Sequence, residues 1–358
     1  MIWSVGRFTL PLLAIFACGV VLAQSQESQP SVTVPLDSPK VTRMVVDSDG
    51  TLHFGARTVP LPVLNSPEAR EAYTQLMLQH ARASSARGGL ASARTTDTVE
   101  TAARTAVRDA SLKRYPVTVE DSKIGGVNVT IFSPKVIPEK NRNKVALEFE
   151  MEAEAIAVAS LGRMKVIKVN YRGGGPSIPG NEDIVAVYRE LLKTYKPKSI
   201  GMFGASGGCT LAQTTVMWLS HLKLPLPGAV GLGTCSGGGN PGDSRYTLNG
   251  LDALLSTAFP NGNPPYRQPA ARRPDEPPAT ALDGDIPKDY PPVFLLSGTR
   301  DMCLSETVLL HQKLRDGGVD ADLNVFEGMW HFFWQNPDLP ESQKAMAALA
   351  NFFNRHLE

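Results

Sequence analysis

The stretch "SIGMFGASGGCTLAQ", residues 199–213, decides how this chain is read. It begins as a short apolar run and passes through Gly204-Ala205-Ser206-Gly207-Gly208. It leaves as a segment with helical apolar spacing. The central residues match G-x-S-x-G, a weak signal by itself in a chain with 31 glycines. Context gives it weight, because a strand runs straight in and a helix runs straight out. A turn this tight has no room for a side chain at 204 or 208. Ser206 is then raised at a helix N-terminus, where the dipole favours negative charge. A capping serine in an ordinary glycine-rich turn would share these local features, so the rest of the chain must decide.

Working outward, strands and helices alternate. "PVTVED" and "VNVTIFS" flank "SKIGG" as an antiparallel hairpin. Strand patterns follow at 144–150, 165–171, 199–205, 228–235, 292–298 and 320–328. Helical patterns lie between them at 152–162, 182–195, 210–222 and 305–316, with a last one within 340–357. This alternation predicts an α/β fold: a mostly parallel, eight-stranded sheet with helices on both faces. Residues 236–290 are rich in Gly, Pro, Asn and Asp and too long for a simple connection. They read as an insertion over the carboxyl ends of the strands, where α/β proteins place ligands.

A serine hydroxyl needs a base, and the base needs an orienting acid. Asp301 ends "PVFLLSGTRD", at a strand carboxyl end. His331 follows the last strand in "VFEGMWHFFW". The order Ser, acid, His is the one expected for this topology. His80, His221 and His311 fall in predicted helices, His53 in the N-terminal arm and His356 at the tail. Asp316, Asp320 and Asp322 are rival acids, but they flank the start of the last strand. The expected catalytic residues are therefore Ser206, Asp301 and His331. Trp330, Phe332 and Ala205 are the expected substrate-binding neighbours.

From about residue 116 onward the chain resembles the hormone-sensitive-lipase-like branch of bacterial α/β-hydrolases. "KVNYR", "EDIVAVYRELL", "GASGG", "LLSGTRD" and "DADLNVFEGMWHFF" carry the resemblance. It implies an α/β-hydrolase fold with an N-terminal helical cap, and a carboxylesterase acting on short acyl esters. The implied domains are 24–115, arm and cap, and 116–358, the hydrolase domain. The departures are specific. The branch carries His-Gly-Gly-Gly after its third strand, supplying half of the oxyanion hole. Here "KVALEFE" runs directly into "MEAEAIAVAS" with no glycine. Ala205 replaces an acidic residue, and Phe332 replaces the glycine that follows the histidine. Losing one oxyanion donor typically costs ~2.7–4 kcal/mol. The N–H of Gly207 remains as one donor. Strand alternation puts Glu148 and Glu150 on one face, opposite Leu147 and Phe149; whether that face points toward the site, where a carboxylate would raise the barrier, or away from it is not legible in the sequence.

"KVNYRGGGPSIPG" (168–180) offers a substitute. Gly173, Gly174 and Gly175 could present N–H groups to an anion. Their strand lies two positions from the nucleophile strand, roughly 10 Å away at about 4.8 Å per strand. Position rather than composition decides reach, so an ordinary connection is the simpler reading.

The ends and the bulk composition narrow the class. With 36 basic and 35 acidic side chains, the chain lacks the excess expected of a nucleic-acid binder. Residues 1–23 have Arg7, then an apolar run from Leu10 to Ala23, shorter than the about 20 residues a membrane span needs. They read as a signal peptide cleaved after Ala23, with no stable membrane anchor afterwards, and a secreted or periplasmic product. Cys209, Cys235 and Cys303 then allow at most one internal disulfide and one free thiol. No CxxC pair or histidine cluster supports a metal, and no cofactor is expected. Two functions stay open: a serine hydrolase cleaving carboxylic esters or lactones, and a weakened homologue that binds a ligand in the old cleft. A peptidase is a minor third, since no propeller or protease domain accompanies the triad. Oligomeric state is not legible.

Overall fold

The dipeptide Gly125-Gly126 sets the first hairpin. Both residues have positive φ, 58° and 82°, as a two-residue type I′ turn requires. It joins β1 (Val117–Ile124) to β2 (Val127–Pro134), with Ile124 opposite Val127. The computed structural model describes residues 45–46, 52–53, 59–86, 97–173, 177–235, 242–255 and 280–358. The expected signal peptide, most of the arm, and Gly174 and Gly175 lie outside the described residues.

Six further strands follow: β3 (Val145–Glu148), β4 (Lys165–Val169), β5 (Ile200–Ala205), β6 (Ala229–Gly233), β7 (Val293–Gly298) and β8 (Ala321–Phe326). The sheet has eight strands in the order β8-β7-β6-β5-β3-β4-β2-β1. β2 is antiparallel to β1 and β4, and every other pair is parallel. The expected mostly parallel sheet therefore forms. β3, β5, β6 and β7 are buried at every residue, as central strands covered on both faces should be. Because they run parallel, Glu148, Ala205, Gly233 and Gly298 finish at the same edge.

Two helical layers cover the sheet. α3 (Glu152–Gly162) and α8 (Pro340–His356) pack with Phe132, Phe203 and Leu296. α4 (Ile178–Leu191), α5 (Gly207–His221) and α7 (Leu304–Asp316) pack with Val129, Met202 and Leu295. Neighbours such as Met202 and Phe203 go to opposite cores because side chains alternate along a strand. α4 starts earlier than its apolar pattern predicts. Ser177 caps it, accepting from the Gly180 N–H at 3.3 Å. Pro179 is tolerated in the first turn, where its missing N–H costs nothing. The connection from β4 is correspondingly shorter than "RGGGPSIPG" suggests.

Two helices precede the sheet, α1 (Pro67–Ala86) and α2 (Asp97–Arg114). Ser66 caps α1, accepting from Ala69 N–H at 3.1 Å. Its own N–H and hydroxyl donate to Glu341 of α8, at 2.7 and 2.8 Å. Tyr73 of α1 donates to Leu251 O at 2.8 Å, and its ring lies 5.8 Å from that of Trp330. The insertion contributes a short α6 (Ser244–Thr247). No described helix is long and apolar enough to cross a membrane.

Candidate active site

β5 delivers Ser206 into a left-handed backbone conformation, φ 54° and ψ −113°. For a residue with a side chain this is strained. The strain is enforced from both sides. A Cβ on Gly204 would sit 2.7 Å from Gly208 carbonyl atoms, and one on Gly208 would sit 2.8 Å from Glu150 Cβ. Both glycines are therefore steric requirements. Ser206 N–H donates to Gly233 O at 2.9 Å, tying the turn to the end of β6. α5 starts at Gly207, so the helix N-terminus with its unpaired N–H groups lies directly beside the serine.

Asp301 and His331 come from separate segments that the backbone joins. Arg300 N–H donates to Met329 O at 2.9 Å, stitching the end of β7 to the segment after β8. Asp301 is 0% exposed and His331 1%. Asp301 Oδ1 lies 3.0 Å from His331 Nδ1. The same oxygen accepts from Cys303 N–H at 2.9 Å, and Oδ2 accepts from Ser297 Oγ at 2.7 Å. Burial alone would raise the Asp301 pKa. The positive charge of a protonated His331 and these hydrogen bonds outweigh it and hold the carboxyl below its ordinary value. The His331 ring bonds through Nδ1 to Asp301 and to Thr234 Oγ1, the latter at 3.0 Å. Among the described residues no hydrogen bond joins it to Ser206, a contact that is commonly long before a ligand binds.

Residues 148–335, more than half of the chain, match the family described as alpha/beta hydrolase fold. The chain belongs to the α/β-hydrolase family. Its relatives among solved structures include esterase E25, 30% identical with a TM-score of 0.67, the match covering 86% of this chain and 99% of that one. An esterase of the bacterial hormone-sensitive lipase family aligns at 23% identity and TM-score 0.64, over 83% and 100% of the two chains. An esterase/lipase from an uncultured bacterium aligns at 18% and 0.63, over 81% and 99%. These last two share the fold. No curated protein matches the chain.

In this α/β-hydrolase the end of β3 carries a buried carboxyl. Ala146 packs in one core and Leu147 and Phe149 in the other, as strand alternation expects. Glu148 is 0% exposed. Its Oε1 turns back and accepts the N–H groups of Glu150 and Met151, each at 2.6 Å, while Oε2 is buried with no partner among the described residues. Burial, with the charge of Glu154 added, drives the Glu148 pKa well up. Glu154, also buried, is pushed to about 8 by desolvation, partly offset by the Trp334 Nε1–H bond at 2.7 Å.

The remaining expected site residues have mixed placements. Ala205 is buried beneath the turn and lines a void of about 10 Å³ with Glu154 and Trp334. Trp330 and Phe332 are buried, and the Phe332 ring stands edge-on to His331 with centroids 4.7 Å apart. Phe332 is left-handed at φ 58°. Gly173 has φ 94°, with Ser177 Oγ 2.7 Å from where its Cβ would be. A cavity of about 320 Å³ opens between α2 and the ends of β3 and β4, lined by Arg104, Val107, Arg108, Glu150, Met151 and Lys168.

Sequence reasoning missed Thr234, Ser297 and Asp252. Asp252 belongs to the insertion and is 0% exposed. It accepts from Met302 N–H at 3.0 Å. Its pKa rises to about 6, mainly by desolvation and against the pull of His331. Asp301, Cys303 and His331 bring ligand-type atoms within 4.8 Å of one another. They make a poor metal site: Nδ1 is committed to Asp301, and burial drives the Cys303 thiol pKa well up, away from the thiolate a metal needs.

Proposed function

We propose that this protein is a carboxylic ester hydrolase that works through Ser206, His331 and Asp301. The observation that carries the proposal is the strained serine at the head of α5, on the sheet edge that also holds a buried Asp301–His331 pair. Asp301 fixes the imidazole tautomer with Nδ1 protonated, leaving Nε2 to take the serine proton. The serine oxygen attacks the ester carbonyl, the alcohol leaves with the proton returned by His331, and water releases the acyl group by the same route. Gly207 N–H supports the oxyanion. Short acyl esters or lactones are the proposed substrates. The likeness to esterase E25 supports ester chemistry.

A second reading has one specific observation behind it. Glu148 occupies the N–H groups of Glu150 and Met151, beside the first turn of α5. A chain with one oxyanion donor and a carboxyl close by could serve as a binding protein with little turnover. The test uses residues 24–358, short p-nitrophenyl esters and a fluorophosphonate probe. Expected are labelling and turnover that Ser206→Ala abolishes. Equal rates in both proteins, with neither labelled, would overturn the hydrolase reading.

Export is part of the proposal. Besides the apolar leader, Cys209 and Cys235 form a disulfide, a bond that persists in oxidising compartments. A mature N-terminus at Gln24, read by mass spectrometry, checks it.

A further inference from the structure

The tripeptide Gly233-Thr234-Cys235 touches all parts of the proposed machinery. Gly233 O receives the Ser206 N–H at 2.9 Å. Thr234 Oγ1 lies 3.0 Å from His331 Nδ1 and donates to Asp301 Oδ2. Cys235 is bonded to Cys209 in the first turn of α5. The tripeptide is the exit of β6, the strand next to the nucleophile strand.

Thr234 is held there at a cost. It is 0% exposed and has φ 47°, a left-handed backbone that a β-branched residue strongly disfavours. Glycine would take this conformation without strain. Two bonds over-determine it: Thr234 N–H donates to Leu296 O at 2.6 Å, and the adjoining Cys235 N–H donates to Thr307 Oγ1 at 3.2 Å. What the threonine adds over glycine is a hydroxyl that bridges acid and base. Asp301 Oδ1 already serves the imidazole and Cys303. With the Thr234 and Ser297 hydroxyls on Oδ2, both carboxylate oxygens are engaged, which fixes the carboxylate plane relative to the ring.

We infer that Thr234 is a positioning residue: its hydroxyl locks the Asp301–His331 pair, and the Cys209–Cys235 bond holds that lock in register with Ser206. The inference rests on Ser206, His331 and Asp301 being the catalytic set. Valine keeps the shape and backbone preference of threonine and removes only the hydroxyl. Serine keeps the hydroxyl and removes only the methyl.

The test compares Thr234→Val and Thr234→Ser on a p-nitrophenyl ester, together with the Nδ1-bound proton signal of His331 in ¹⁵N-labelled protein. Thr234→Val is expected to lower kcat about 10- to 100-fold with KM within about twofold, the range of one hydrogen bond to a charged group. It should also shift or broaden the His331 signal. Thr234→Ser should recover both. If valine leaves kcat and the signal unchanged, or if serine is as impaired as valine, the inference is overturned. Should Thr234→Val fail to fold, Thr234→Ala is read the same way. A wild-type chain with no turnover sinks the hydrolase reading instead, and the His331 signal still decides the role of Thr234.

Discussion

The Glu148 carboxyl and the Met151 N–H meet at 2.6 Å, in the segment that follows β3. Glu150 N–H joins the same oxygen, and the Glu150 Cβ lies against Gly208 in the first turn of α5. The backbone donors nearest the nucleophile turn are thus consumed inside the chain. Glu148→Ala frees them, whereas Glu148→Gln keeps an acceptor oxygen in place. Glu148→Ala is expected to raise kcat on an activated ester by about tenfold, below the ~10²–10³ that a well-aimed donor supplies. Glu148→Gln is expected to leave kcat within about twofold of wild type, because the donors stay occupied. Steady-state kinetics well below the unfolding temperature check both. A fall in kcat in Glu148→Ala would show that Glu148 supports the site rather than restricts it.

The buried carboxyls also give the fold a pH signature. Glu154 is pushed to about 8, and Glu148 is raised well above its usual value, both chiefly by desolvation. A raised carboxyl pKa means that the folded chain holds the proton more tightly than the unfolded chain. Its stabilising contribution is therefore full at low pH. It is lost as pH climbs from the ordinary value, ~4.3, through about 8 for Glu154. Glu154→Gln cannot ionise, and its amide oxygen can still accept from Trp334. The difference in Tm between Glu154→Gln and wild type should grow in favour of the variant from acidic to mildly basic pH. A difference that is flat across that window means Glu154 titrates normally.

How much of this was legible in the sequence follows from the range of each interaction. Ser206 was readable because its signal is local: two glycines, a strand before and a helix after. Asp301 and His331 were readable because topology fixes which strand ends they follow. Thr234 gave no signal, since a lone threonine after a strand has no periodicity, and its partners lie 67 and 97 residues away. The burial of Glu148 gave no signal, because alternation assigns a face of the strand and not what covers it. Asp252 was hidden in a segment whose composition reads only as loop. The start of α4 was set by a cap and a proline that also fit a connection.

The Cys209–Cys235 bond should be worth measuring separately from chemistry. It closes a loop with a separation of 26 residues, for which the chain-entropy model gives about 3.5 kcal/mol. Cys303 is buried and free, so it does not offer an easy alternative partner. A reductant, or Cys209→Ala with Cys235→Ala, should lower Tm by several degrees in calorimetry. An unchanged Tm after verified reduction would show that the bond adds nothing to folding.

Phe332 sets two effects against each other. Its left-handed backbone, φ 58°, costs roughly 1–2 kcal/mol relative to an unstrained residue. Glycine removes that cost. The ring, however, is buried against His331 and Trp334, with centroids 4.7 and 5.9 Å away. Truncating a buried Phe typically costs about 3–5 kcal/mol, so packing wins. Phe332→Gly is expected to destabilise the protein by about 2–3 kcal/mol net in urea unfolding. The ring also walls the histidine, so its loss lets water and the imidazole move, and kcat should fall together with stability. Phe332→Asn separates the two terms, because asparagine tolerates the left-handed region without restoring the ring. If Phe332→Gly proves more stable than wild type, backbone strain rather than aromatic packing controls this corner of the site.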